Sequence, residues 1–179
     1  LYVLKLTGSG MSFAVNLVLG TLPVVLVNPV AGVLADRLDR KTLVVMMDIL
    51  NGMLLSGLYI LSYKSGLSLT VIYCTTFAAA LFTTVYNVSL DSSLPNIVSQ
   101  KRLVTVNSAG KILDAASSVL GPMAGGLVYA FIDIRYFILI NGISFFLSAA
   151  AALFMDFEIS GSYEATERKG NISIIRDMK

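Results

Sequence analysis

Gly32-Val33-Leu34-Ala35-Asp36-Arg37-Leu38-Asp39-Arg40-Lys41 sets five charges between two long apolar stretches, residues 11–34 before it and 42–63 after it. Neither stretch alternates polar with apolar, and each is longer than the roughly 9–11 residues a membrane strand needs. Both therefore read as membrane-crossing helices, and the charged decapeptide as the turn between them. Working outward, three more stretches of the same kind follow, at 67–90, 103–131 and 136–155. Lys64-Ser65-Gly66 makes the first turn. Asp91-Ser92-Ser93-Leu94-Pro95-Asn96 is expected to break the next helix, because proline cannot donate a helical hydrogen bond. Asp133-Ile134-Arg135 separates the last two. The expected fold is an all-α, polytopic membrane helix bundle over 1–157, with 158–179 as the start of a hydrophilic cytoplasmic linker. Leu1-Tyr2-Val3-Leu4 reads as the tail of an earlier helix.

Composition agrees. Of 179 residues, 56% are hydrophobic and 13% charged, and the mean hydropathy is +0.80. A soluble domain carries about a quarter charged residues, so an ordinary soluble enzyme is excluded. The chain has no His and one Cys, which removes intrachain disulfides, imidazole metal sites and Ser-His-Asp triads. No metal site and no cofactor is expected. A net charge of +2 gives no basic surface for nucleic acid.

The connections alternate between two sides of a bilayer. One side collects Arg37, Arg40, Lys41, Lys101, Arg102, Arg168, Lys169, Arg176 and Lys179; the other has Lys5, Lys64 and Arg135. Cytoplasmic loops concentrate Lys and Arg. Loops 36–41, 95–102 and 158–179 are therefore expected in the cytoplasm of a multi-pass plasma-membrane protein.

Charges within spans are expensive and mark function. Asp114 shares one helical stripe with Gly110, Ser117, Gly121 and Gly125, and Lys111 lies three residues before it. It is read as a candidate proton carrier, with a Lys–Asp pair as the structural alternative. Asp48 lies about two turns into its span, with Asn51 nearby; it is a second candidate, or an interfacial acid paired with a loop cation. Asn16 and Asn28 either line a transport path or hydrogen-bond across helices.

The charged loop resembles the signature of the major facilitator superfamily, Gly-x-x-x-Asp-Arg-x-Gly-Arg-Arg/Lys. Gly32, Asp36, Arg37, Arg40 and Lys41 match, and Asp39 stands where the family often has a second Gly. Ser117-Ser118-Val119-Leu120-Gly121-Pro122-Met123-Ala124-Gly125-Gly126 resembles the family's antiporter signature, with Ser117 for its first Gly. Ser93-Leu94-Pro95-Asn96, Asn107 and Asn141-Gly142-Ile143-Ser144-Phe145-Phe146 resemble the exporter branch of enterobactin-type siderophore exporters and macrolide efflux pumps. The resemblance implies helices two to six of a twelve-helix transporter, with the carboxy-terminal half as partner. One departure stands out: many proton-driven members carry an Arg in the fourth helix, whereas 67–90 has no charge.

The implied function is secondary active efflux of a small amphipathic molecule by proton antiport with alternating access, with the lipid bilayer and that small molecule as partners. The alternative is a membrane-embedded scaffold without transport. An enzyme is not expected.

Overall fold

The computed structural model describes residues 2–64, 66–97 and 100–155, and omits the side chains of residues 36, 95–97, 100–101 and 128–129. Six helices follow one another: α1 Tyr2–Thr7, α2 Gly10–Arg37, α3 Arg40–Lys64, α4 Leu69–Ile97, α5 Gln100–Phe131 and α6 Ile134–Phe154. No strand occurs among the described residues. The expected linker, 158–179, lies outside them.

Short polar side chains start four of these helices. Ser9 Oγ accepts from Ser12 N, Asp39 Oδ2 from Thr42 N, Ser68 Oγ from Val71 N, and Asp133 Oδ1 from Arg135 N. Each satisfies a backbone donor that the first helical turn leaves open. Gly8 and Gly66 take positive φ, 63° and 71°, and so turn the chain between α1 and α2 and between α3 and α4 where a Cβ would be strained.

Among the described residues, α2, α3, α4 and α6 are long and apolar enough to cross a membrane. α5, expected as a further span, has the length at 32 residues. Lys111, Asp114, Ser117, Ser118 and Pro122 thin out its apolar content. Leu17, Val18, Val25, Leu26 and Val30 of α2 point outward, which suits a lipid-facing surface.

α3 packs on α6 and α4, and α2 packs on α4, while α5 meets the rest sparsely. Val44, Val45, Ala149 and Ala152 form the core of the α3–α4–α6 junction, with Tyr86 and Leu90 against it. α3 and α6 run antiparallel and approach closely. A Cβ at Gly52 would stand 2.9 Å from the Phe146 ring, and one at Gly142 would stand 3.4 Å from Leu55 Cβ. At the far end of this seam the Arg135 guanidinium lies 4.9 Å from the centre of the Tyr63 ring, a cation–π contact.

The break expected at 91–96 is absent: α4 continues to Ile97. The last turns find partners other than the standard ladder. The hydroxyls of Ser92 and Ser93 donate to Ser89 O at 3.0 and 2.6 Å, and Arg40 Nη1 donates to Ser92 O at 2.6 Å. Pro95 lies in the last turn of α4 and withholds only the donor that Asp91 O would accept, so the helix loses one hydrogen bond close to its end.

Candidate functional site

The charged loop is a two-residue link between α2 and α3. Asp39 is the helix cap of α3: besides Thr42 N at 3.0 Å it accepts the Thr42 hydroxyl. That hydroxyl holds the Asp39 carboxyl below the usual carboxylate value. The residue that departs from the family pattern therefore has a structural task of its own. Arg40 reaches two helix ends, donating through Nε to Ala35 O at 3.3 Å and through Nη1 to Ser92 O at 2.6 Å. A cation at the carboxy-terminal carbonyls of α2 and α4 also complements both helix dipoles. Arg37 is exposed and Lys41 half-buried. The side chain of Asp36 lies outside the described residues. A Cβ at Gly32 would meet nothing within 4 Å.

Between α2, α3 and α4 lies a cavity of about 760 Å³. One stripe of α4 forms its wall, Thr76, Thr83, Thr84 and Asn87 at helical spacing, with Asn28 opposite and Asp91 at one end. Its chemistry is hydroxyl and carboxamide against methyl groups, with the Asp91 carboxylate at that end, and among the described residues no cation lines it. The two asparagines of α2 separate here. Asn16 Oδ1 accepts from the Thr76 hydroxyl at 3.0 Å, and Tyr73 OH donates to Ser12 O at 2.9 Å, so Asn16 joins α2 to α4. Asn28 faces the cavity. The threonine stripe was open to reading in the sequence, through its period of three and four residues.

Gly121, Pro122, Gly125 and Gly126 lie together on α5. Pro122, Gly125 and Gly126 face a groove of about 530 Å³ shared with Val3, Phe13 and Phe137. Ser117 and Asp114 are exposed on the same helix. A Cβ at Gly110, Gly121 or Gly125 would meet nothing within 4 Å. Among the described residues, Lys111 and Asp114 make no ion pair.

Asp48 is placed differently. It is 2% exposed and Asn51 is 1% exposed, at the α3–α4–α6 junction. Ser148 of α6 sits between Asp48 and Tyr86, close enough to interact with both. The expected alternative of a loop cation beside Asp48 is not found among the described residues. Tyr86 and Ser148 were not singled out by the sequence, which sets Asn51 beside Asp48 on one helix but does not show which polar residues of other spans meet them. No cluster of His, Cys, Asp or Glu suited to a metal occurs among the described residues.

The sequence pattern of the Major Facilitator Superfamily matches residues 2–176. The chain belongs to that superfamily. Among similar proteins, the MFS-type transporter YfiS of Bacillus subtilis is 30% identical over 145 residues, 81% of this chain and 32% of YfiS. Macrolide efflux protein A of Streptococcus pyogenes is 26% identical over 140 residues, 78% of this chain and 35% of the relative. The protein of the same name from Enterococcus faecalis is 26% identical over 134 residues, 75% and 41%. The facilitator chain thus spans about a third of the length of the relatives it matches. No solved structure matches it. Its helices and its family agree: this is a multi-pass membrane helix bundle.

Proposed function

We propose that this chain is the amino-terminal half of a bacterial plasma-membrane exporter that expels a small amphipathic molecule by alternating access and proton antiport. The observation that carries the proposal is the alignment of three quarters or more of the chain with transporters, two of them named for macrolide efflux. The cavity of about 760 Å³ supports it: threonine and asparagine groups suit a neutral, oxygen-rich molecule, and methyl groups suit its apolar face. Asn28 is the path residue in this reading. A carboxy-terminal half completes the site, since substrates of this fold bind between repeats near the bilayer midplane. Loops 36–41, 95–102 and 158–179 face the cytoplasm. Arg40, with Arg37, Lys41 and Asp36, organises the inner gate; Gly121, Pro122, Gly125 and Gly126, with Ser117, let α5 bend. The driving proton rides on a carboxylate within the membrane, and Asp114 and Asp48 are the candidates in this half.

The test is transport by the full-length protein in sealed vesicles, with a macrolide as first probe. An imposed proton gradient should drive macrolide accumulation several-fold, with protons moving the other way, and a protonophore should abolish it. Equal macrolide distribution with and without the gradient, at equal protein abundance, would favour the scaffold reading.

A further inference from the structure

One group of polar side chains is sealed inside the bundle and takes no part in the cavity. Asp48 and Asn51 lie one turn apart on α3, on one face, and both are almost fully enclosed. Asp48 Oδ2 and both polar atoms of the Asn51 carboxamide have no hydrogen-bond partner among the described residues. From α4, Tyr86 faces Asp48; from α6, Ser148 does. Among the described residues these elements bring no cation and no second carboxylate to it. Asp48 is eight residues beyond the start of α3, about 12 Å along the axis, so it stands within the membrane on the cytoplasmic side of the midplane.

A bare carboxylate enclosed without a counter-charge is the costliest arrangement these atoms allow. Two ligands would relieve it. A metal cation needs several oxygens around it, and Asp48, Asn51 and Ser148 offer few. A proton needs one oxygen to carry it and one to accept its hydrogen bond. Asn51 Oδ1 is an acceptor one helical turn away that lacks a donor. A proton on Asp48 Oδ2 donated to Asn51 Oδ1 pairs two of the three open atoms and removes the buried charge; Asn51 Nδ2 stays open.

We propose that Asp48, Asn51 and Ser148, backed by Tyr86, form a proton-binding site in the α3–α4–α6 core, separate from the substrate cavity, and that this site holds the coupling proton. The acid O–H breaks when α3 and α6 part enough to admit water. The electron pair stays on the carboxylate and the proton leaves to that water. Ser89 and Ser93, one and two turns further along α4 from Tyr86, are buried and lead towards the cytoplasmic end where Arg40 meets Ser92. Asp114, exposed on α5, has no comparable enclosure. Proton binding at Asp48 stands on this geometry alone; its part in transport rests on the antiport reading above.

The experiment is infrared spectroscopy of the full-length protein in lipid, titrated from acid to alkaline pH, beside proton and macrolide fluxes in vesicles. A protonated-carboxyl stretch should titrate in the wild type, vanish in Asp48→Asn and persist in Asp114→Asn. Asn51→Leu and Ser148→Ala should shift that band, which keeps the test available if Asp48→Asn does not fold. Asp48→Asn should lose proton exchange while still equilibrating macrolide down its gradient. Survival of the band in folded Asp48→Asn, or an unshifted band in both other variants, overturns the site. A sodium-dependent thermal stabilisation that Asp48→Asn abolishes overturns it in favour of a metal cation. Undiminished proton exchange in Asp48→Asn overturns its coupling role. A titrating band in a wild type that moves no protons upholds the site and refutes antiport.

Discussion

Asp39 shows how one side chain can do a local job that a family pattern hides. Its carboxylate closes the first turn of α3 through Thr42. Replacing it with Ala should destabilise the protein by about 1 kcal/mol, and with Gly by only a few tenths. Thermal unfolding in detergent reads this. The pH dependence has a definite sign. The folded-state value lies below the ordinary one, so the cap contributes fully above about pH 4 and is lost as pH falls through the lower folded value. The wild-type advantage over Asp39→Ala should thus be flat near neutrality and shrink only in strong acid. The two seam glycines should differ from each other. At Gly52 a new Cβ meets the outer atoms of the Phe146 ring, which can tilt away towards lipid, so Gly52→Ala should lose less than about 1 kcal/mol. At Gly142 the neighbours include Leu55 Cβ and Gly52 O, which cannot swing. Gly142→Leu should cost about 1–3 kcal/mol or more, seen as a lower melting temperature or loss of folded yield.

At the scale of elements, helix existence was legible and helix pairing was not. The apolar stretches, the charged turn and Lys64-Ser65-Gly66 were readable because a bilayer demands long uninterrupted apolar runs. The end expected for α4 at 91–96 differs from the observed end at Ile97 because the proline rule speaks of the helix interior, and Pro95 falls in the last turn, where its missing donor costs one hydrogen bond. That α3 seats against α6, or that Ser148 reaches Asp48, depends on contacts nearly a hundred residues apart, for which periodicity carries no signal. The Ser and Asp caps of α2, α3, α4 and α6 stand in plain view before those four apolar runs. Arg40 joins the ends of α2 and α4, and its replacement tests that link. Arg40→Ala should lose about 2 kcal/mol, since hydrogen bonds from charged groups carry the larger values. Arg40→Lys should recover less than half, because a single ammonium cannot span two carbonyls as a guanidinium does. Thermal unfolding of the three proteins decides it.

For the whole molecule, topology is the expectation with the widest reach. Cys74, the single cysteine, is exposed, so a Cys74→Ala background is the clean starting point. A cysteine placed at Arg40 should resist an impermeant thiol reagent in intact cells and react after the membrane is opened. One placed at Lys64 should react from outside. The reverse pattern would invert the bundle. Family membership was legible from the loop and from the Gly-Pro stretch, since both are short motifs fixed in spacing. The enclosure of Asp48 was not, because two turns into a span is equally the address of an interfacial acid.

The α3–α6 seam also imposes an order of events during synthesis. The ribosome makes Asp48 and Asn51 a hundred residues before Ser148. At roughly 5–20 residues per second, about 5–20 s pass in which α3 has entered the membrane while the helix that completes its polar wall is still unmade. For that interval α3 must be sheltered, either in the insertion channel or against α4, whose Tyr86 arrives sooner. Nascent chains stalled before residue 134 should therefore remain bound to the insertion machinery, and chains stalled well beyond residue 154 should be released into the lipid.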